Sequence, residues 1–504
     1  MRAFRLSPYS QRAMQFVLKL FPEILLKSGA IHRRMTMILQ VNVQQVLQRL
    51  DPNIKVLREW DKLIVVSDDD SAENYQQVLD ALRRIPGIQY ILDVQVSSFN
   101  DAQHITQLTK QLWQHQLAGK SFCVRVRRTG QHPFSSLDLQ RQIGECLYEE
   151  CENGGVNLRQ PDILIQVEVV KQQLFLVRTS HVGIGGYPLG TQESVLSLIS
   201  GGFDSAVASY QFIRRGSRVH YCFFNLGGAE HQRGVQQMVN LLWQKFGSSH
   251  KVRFIAVDFS DVLADIVQHI PHGNQGVVLK RAMLRVAHRF AQRLEIPALV
   301  TGEALGQVAS QTLTNLQVID RASETVVMRP LIAWDKPDII KLADEIGVRA
   351  LAASIPEYCA AISSNPNVKT NLQKVEKDEK RLCGQLLEQA IANAAWYDVS
   401  ELASNTEPLA RDGGSVCQAK QRARRLAAGD IIIDVRAPNE IEQKPFTHPE
   451  YKILQLPFYK LASEFPKLSQ DQQYFLYCER GMMSKLQAMH LQERGFGNVR
   501  VFGT

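Results

Sequence analysis

The stretch Val195–Ser209, VLSLISGGFDSAVAS, constrains this chain more than any other. Val195, Leu196, Leu198 and Ile199 form a short apolar run of strand type. Gly201 and Gly202 follow. Having no Cβ, they let the backbone turn sharply and come close to a ligand. Helical spacing restarts at Ala206. A Gly-rich turn that opens a helix presents free N–H groups and the positive end of the helix dipole, which suits a phosphate. Ser200 and Ser205 add hydroxyl donors. Asp204 is the odd member, because a carboxylate repels phosphate unless a cation or a substrate proton lies between them. No Lys follows the glycines, so this is not a Walker A loop. An isolated Gly-Gly would indicate turn geometry alone.

The full order Ser-Gly-Gly-Phe-Asp-Ser is more specific and resembles the pyrophosphate loop of the ATP pyrophosphatase (PP-loop) superfamily. Those enzymes adenylate a carbonyl oxygen and release pyrophosphate. Downstream, strand patterns at 220–226, 252–259 and 297–303 alternate with helical ones at 234–246, from 261, at 275–294 and at 334–346. Such alternation predicts a parallel sheet covered on both faces, with ligands at the carboxyl ends of the strands, where the Ser200–Ser205 turn sits. His231 is expected near that edge. Lys280 lies on VVLKRAMLRVAHRF with its apolar neighbours turned inward, able to reach a phosphate. Gly302 directly follows a strand, with Gln307, Ser310 and Gln311 close by. The run GE-x-x-GQVASQT resembles the nucleotide-closing segment of the tRNA 4-thiouridine synthetase branch. Arg329 and Lys336 follow another strand, where PP-loop enzymes place basic residues against substrate or pyrophosphate.

Upstream, Met14–Val96 alternates strands and helices in the manner of a small ferredoxin-like domain. Its Lys27, Arg33 and Arg34 serve either as phosphate contacts or as a solvated face. The strand FCVRVRR places Phe122, Val124 and Val126 on one side and Arg125 and Arg127 on the other. Arg128, Gly130 and His132 continue into a polar loop, and a helix over 137–148 follows a Ser135-Ser136 cap. ILIQVEVV and QLFLVRTS form a hairpin. This basic strand and loop resemble a THUMP domain, an RNA-binding module, which assigns RNA contact to Arg125, Arg127, Arg128 and His132.

At the other end, Cys478 opens the turn Cys-Glu-Arg-Gly-Met-Met-Ser between a strand and a helix. Converging N–H groups, the helix dipole and Arg480 favour a thiolate, which is a nucleophile able to carry a persulfide. DVR-x-x-x-E with C-x-x-G-x-x-S resembles a rhodanese domain, and the loop is assigned Glu479, Arg480, Gly481 and Ser484.

A chain of 504 residues should hold several domains, and a formal charge of +8 favours a polyanionic partner. The eight cysteines stand singly, with no C-x-x-C. That pattern argues against a zinc ribbon and suits a reducing, cytoplasmic compartment. No apolar run reaches membrane-span length, and without a clean apolar core or small-residue cleavage site near Met1 a secretory signal is not expected. The expected organisation is multidomain α+β and α/β. An extension at 1–13 precedes a ferredoxin-like domain at 14–75, a THUMP domain at 76–180 and a PP-loop α/β domain with a parallel sheet at 181–400. A linker at 401–425 and a rhodanese-like α/β domain at 426–504 complete the chain.

This order resembles the tRNA 4-thiouridine synthetase (tRNA sulfurtransferase) family of thiamine and thiouridine biosynthesis, from Met14 onward. The resemblance implies conversion of a tRNA uridine at position eight to 4-thiouridine, through an adenylated uridine and a persulfide on Cys478. It implies Cys359 as resolving thiol, forming a disulfide with Cys478, while Cys383 and Cys417 stand between them as alternatives. It implies ATP contacts from Leu198, Ile199, Ser200, Gly201, Gly202, Asp204, Ser205, Lys280, Gly302 and Gln311. Mg²⁺ would enter with ATP near Asp204, without a protein metal cluster. Implied partners are tRNA, a cysteine desulfurase as sulfur donor, and a thiamine sulfur-carrier protein; a homodimer is compatible, a membrane partner is not. Two rivals remain: a PP-loop synthetase that forms an amide from ammonia, which needs no persulfide loop, and a non-catalytic tRNA-binding protein, which leaves SGGFDS and CERGMMS without purpose.

Overall fold

The computed structural model describes residues 14–226, 228–355, 366–402, 422–423, 426–427, 429–436, 438–478 and 482–502. The chain divides into two compact units. One runs to Thr191 and includes Arg214–Gly216; the other comprises Gln192–Ile213 and the residues from Ser217 on.

The first unit is built on one seven-stranded sheet. Its strands are β1 (Met14–Leu20), β2 (Lys55–Arg58), β3 (Lys62–Ser67), β4 (Ile88–Ser98), β5 (Phe122–Thr129), β6 (Ile163–Val170) and β7 (Gln173–Val182), in the spatial order β2-β3-β1-β4-β7-β6-β5. Helices Gly29–Leu47 and Ala72–Leu82 bury Leu39, Val43, Val78 and Leu82 with Phe16, Leu18, Leu63 and Val65, completing a βαββαβ unit. Helices Ala102–Trp113 and Ser136–Glu150 bury Ile105, Ile143 and Leu147 with Phe122, Val124, Ile165 and Leu176. The second of these starts at Ser135, whose hydroxyl accepts the Asp138 N–H in a capping box. The boundary expected at residue 75 falls inside the helix Ala72–Leu82. β4 pairs antiparallel with β1 on one side and β7 on the other, so the ferredoxin-like and THUMP-like parts share one sheet. The sheet curls: Lys19 of β1 and Lys62 of β3 both reach Glu168 of β6, at 2.6 and 3.6 Å, across the intervening strands. The Gly-rich Gly183–Gly190 segment belongs to this unit.

The second unit contains two sheets. The larger is β12-β11-β8-β9-β10-β13, made from β8 (Gln192–Leu198), β9 (Ser217–Asn225), β10 (Arg253–Asp258), β11 (Ala298–Val300), β12 (Val326–Met328) and β13 (Ala395–Asp398). All neighbours are parallel except β13, which runs antiparallel to β10 at the edge. From β8 the chain proceeds through β9 and β10 to one side, then returns to place β11 and β12 on the other. The turns after β8 and β11 therefore face one crevice at the carboxyl edge, the usual ligand position of an open α/β sheet.

The smaller sheet is fully parallel, ordered β14-β18-β17-β15-β16, from β14 (Arg422–Ala423), β15 (Ile431–Asp434), β16 (Lys452–Gln455), β17 (Tyr474–Tyr477) and β18 (Val499–Phe502). Arg422–Ala423, expected in the linker, thus forms an edge strand. The helix Met482–Glu493 lies against the helix Gly228–Leu242, and Met483 packs on the cores of both sheets. Among the described residues no helix is long and apolar enough to cross a membrane.

Candidate active site

The turn after β8 is locked from within. Gly201 has φ +90°, a left-handed value that favours glycine. Ser205 Oγ donates to the Gly202 carbonyl at 2.8 Å and accepts the Ser200 N–H at 3.3 Å. Ser209 Oγ donates to the Ser205 carbonyl and lies 2.8 Å from Ser197 Oγ. Ser205 is buried, so its hydroxyl holds the turn's shape, and Ser200 is the exposed hydroxyl of the pair. His231 reaches this edge: its Nε2–H donates to the Ser200 carbonyl at 3.2 Å. Burial drives the imidazole down to about 4 although that hydrogen bond acts the other way, so the ring is neutral at pH 7.

Asp204, at the start of the helix Phe203–Arg214, meets a protein cation. Lys336 Nζ lies 2.8 and 2.7 Å from its two oxygens and 4.3 Å from the Phe203 ring centroid. Gln307 Nε2 donates to Asp204 Oδ2 at 3.1 Å. The cation that a carboxylate beside a phosphate turn requires is thus supplied by a residue 132 positions away in sequence. Gly302 closes the crevice: a Cβ there would stand 2.6 Å from the backbone of Asp204 and Ser205.

Lys280, expected from the sequence to be able to reach a phosphate, is held by an acid. Its ammonium donates to Glu303 Oε1 at 2.6 Å. Glu303 Oε2 accepts from Arg329 Nε at 2.8 Å and from Thr301 Oγ1 at 3.0 Å. Arg329 also grips Asp320 with both terminal nitrogens, at 3.0 and 2.5 Å. It therefore faces inward rather than toward a substrate. Burial opposes ionisation of Glu303, but Lys280 and then Arg329 outweigh it and hold the carboxyl down to about 2. The signal in the sequence was an acid directly after the strand-ending Gly302, with basic residues in two other segments of the same edge.

Gln311, in the segment after β11, has its Oε1 buried without a hydrogen-bond partner among the described residues. A buried acceptor left so costs about 1–3 kcal/mol, which a ligand N–H would recover. Ile199 N–H is committed to the Cys222 carbonyl at 3.0 Å, so a backbone contact from Ile199 runs through its own carbonyl. Leu198, half-buried, ends β8. Among the described residues no group of His, Cys, Asp and Glu is arranged to hold a metal ion.

Cys478 directly follows β17, the middle strand of the smaller sheet, at its carboxyl edge. Its Sγ accepts the Ser484 N–H at 3.2 Å, and the thiol donates to Ser484 Oγ at 3.4 Å. Ser484 is fully buried in the first turn of the following helix, so this sulfur faces a helix N-terminus. Cys359, Cys417, Glu479, Arg480 and Gly481 lie outside the described residues. Cys383 is exposed at the start of the helix Gly384–Ala392, its N–H bonded to Asp265.

In the first unit, Arg125 and Arg127 are exposed on β5 and line a cleft of about 500 Å³ with Lys19, Gln166 and Ser180. Burial acts to raise the Glu168 carboxyl there, but Lys19, Lys62 and Arg127 outweigh it and hold it below the usual carboxylate range. Arg128 and His132 bond to each other and, through His132, to the turn between β6 and β7. The His132 Nε2–H donates to the Lys171 carbonyl at 2.7 Å, Arg128 donates to Nδ1 at 3.3 Å, and the ring stacks on Phe134. These two shape the loop that follows β5, the strand that carries the outward arginines.

Comparison with known proteins gives four matches along the chain. The chain matches the ThiI ferredoxin-like domain over residues 17–91, the THUMP domain over 99–177, the thiamine biosynthesis protein (ThiI) family over 190–383 and the rhodanese-like domain over 418–503. It is 48% identical to the tRNA sulfurtransferase of Aeromonas salmonicida over 97% of this chain and 100% of that protein. The tRNA sulfurtransferase of Haemophilus influenzae (strain 86-028NP) is also 48% identical, over 97% and 99% of the two chains. A crystal structure of a 4-thiouridine synthetase–RNA complex with bound ATP shares the fold, with a TM-score of 0.67 at 23% identity over 76% of this chain and 99% of that one. Identity of this extent, spanning all four modules and both ends of the relatives, places the chain in the tRNA sulfurtransferase family.

Proposed function

We propose that the protein uses ATP to adenylate the C4 oxygen of the uridine at position eight of tRNA and replaces that oxygen with sulfur carried on Cys478, giving 4-thiouridine. The observation that carries this is the crevice between the turns after β8 and β11, where Gly302 abuts Asp204 and Ser205 and Lys336 pairs with Asp204. Adenine is assigned to Leu198, Ile199 and Gln311, and the phosphates to the Ser200–Gly202 backbone, Lys280 and Gly302. Lys336 screens Asp204 from the phosphate charge. Mg²⁺, when bound with ATP, would add Lewis-acid stabilisation; one carboxylate plus substrate phosphates is an ordinary Mg²⁺ environment, and Asp204 supplies that carboxylate.

Uracil O4 is a poor leaving group. Its attack on the α-phosphorus releases pyrophosphate and leaves the oxygen as part of AMP. The terminal sulfur of the Cys478 persulfide then attacks C4 and AMP departs, leaving the base joined to Cys478 through a disulfide. A second thiol, assigned to Cys359, attacks the Cys478 sulfur. The C4 sulfur leaves with the electron pair as 4-thiouridine, and a Cys359–Cys478 disulfide remains for an external dithiol to reduce. Arg125 and Arg127 are assigned to the tRNA backbone. A cysteine desulfurase as sulfur source, a thiamine sulfur-carrier protein as second acceptor, and a homodimer belong to the same proposal.

The test incubates the purified protein with ATP, unmodified tRNA and a persulfide source. Pyrophosphate release should depend on tRNA, and near-ultraviolet 4-thiouridine absorbance should appear. Absence of both refutes the function; formation of an amide with ammonia would establish the rival synthetase.

A further inference from the structure

We propose that Glu303 is a positioning residue for ATP capture, holding the Lys280 ammonium at the crevice before the nucleotide arrives. This rests on the adenylation function above. Glu303 is fixed from three directions. Its backbone follows Gly302, which is pressed against the Asp204–Ser205 turn. Its Oε2 takes two donors, Arg329 Nε and Thr301 Oγ1, and its Oε1 takes Lys280. Arg329 is itself clamped by Asp320. The helix bearing Lys280 is locked on either side of it by Leu279 and Arg281, each 2% exposed, so only the lysine's own torsions remain to be set.

Lys280, Glu303, Arg329 and Asp320 alternate in sign and sum to zero, so the arrangement stands without a ligand. An ammonium has three donors, and Glu303 takes one, which leaves two for phosphate oxygens. Glu303 cannot touch the phosphates itself, because it is an anion, and its carboxyl is held too acidic to act as a base near neutral pH. Its contribution therefore passes through Lys280.

The test is a double-mutant cycle on the full chain, with ATP affinity measured by equilibrium dialysis for wild type, Glu303→Gln, Lys280→Met and the double variant. Each single change should weaken ATP binding about tenfold or more, and the double variant should be no weaker than Lys280→Met alone. Tenfold corresponds to about 1.4 kcal/mol. A general packing role for Glu303 would instead multiply the two losses, and that result overturns the proposal, as does Glu303→Gln binding ATP like wild type. If Glu303→Gln does not fold, Glu303→Asp keeps the charge but withdraws it from Lys280, and the same cycle with the same criteria applies. Wild type that fails to bind ATP overturns the adenylation function and this proposal together; wild-type binding with an additive cycle overturns this proposal alone.

Discussion

Gly302 is the point where the β11 turn presses on the backbone of the β8 turn, and Gly302→Ala tests that approach. The glycine's φ is outside the left-handed region, so space rather than backbone conformation demands it. An added methyl would stand 2.6 Å from Asp204 C and Ser205 N and 2.7 Å from Ser205 Cα. Ordinary contact begins at 3.4 Å, so the turn must retreat by about 0.8 Å. All three atoms are backbone, and the turn cannot yield locally because Ser205 and Ser209 tie it to the helix and to β8. Overpacking of this kind costs about 1–3 kcal/mol, and misplacing a reacting group by ~1 Å costs about a hundredfold in rate. Gly302→Ala should therefore lower kcat/KM for tRNA-dependent pyrophosphate release by about two orders of magnitude, while tRNA affinity measured by filter binding stays within twofold. A variant with wild-type kcat/KM would refute the close approach of the β8 and β11 turns as the basis of the site.

Cys478→Ser keeps an acceptor for the Ser484 N–H, so ATP and tRNA binding should persist while thiolation falls to background; sustained multiple turnover by this variant would remove Cys478 as carrier. Arg127→Ala should weaken tRNA binding alike for all tRNA sequences and reduce the slope of log affinity against log salt by about one; an unchanged slope argues against phosphate contact. His231 titrates ordinarily at 6.5 and at about 4 when folded, because burial disfavours its charged form. Between those values the unfolded chain binds the extra proton, so stability is lost as pH falls from about 6.5 to about 4, by about 3 kcal/mol for this group. His231→Gln retains an N–H donor at the Nε2 position for the Ser200 carbonyl and should flatten part of that acid loss in denaturant midpoints. His220, also held near 4 chiefly by burial, and His250, lowered for the same reason, contribute to the remainder, and identical acid sensitivity of the two proteins would contradict the assignment.

What could be read in the sequence was local. The strand–turn–helix at Ser200–Ser205, the cap at Ser135 and the position of Cys478 after a strand each follow from adjacent residues, and the structure has each of them. Pairings over long separations could not be read. Lys336 on Asp204 and Glu303 between Lys280 and Arg329 are chosen by which strand ends meet at the crevice, and residue type alone leaves several basic candidates for each acid. Arg128 and His132 have residue types that suit phosphate contacts, and their bonds to each other and to the Lys171 carbonyl depend on the return of the chain at Lys171, which the local sequence does not show. The shared sheet was hidden for a related reason: β4 reads as the end of one module, while its second neighbour, β7, comes about 80 residues later.

That shared sheet bears on how such proteins can be recombined. Modules joined by linkers can be exchanged as cassettes, because a cut exposes only loop. Here a cut after β4 strips β7 of its partner along the whole register from Tyr90–Val182 to Ser98–Gln173, and it removes the two lysines that neutralise Glu168. The THUMP-like remnant would present a bare strand edge and a half-buried carboxylate left with Arg127 alone to offset it, a combination that invites aggregation. A chimera that changes tRNA preference while keeping the chemistry should therefore take everything up to Thr191 as one piece.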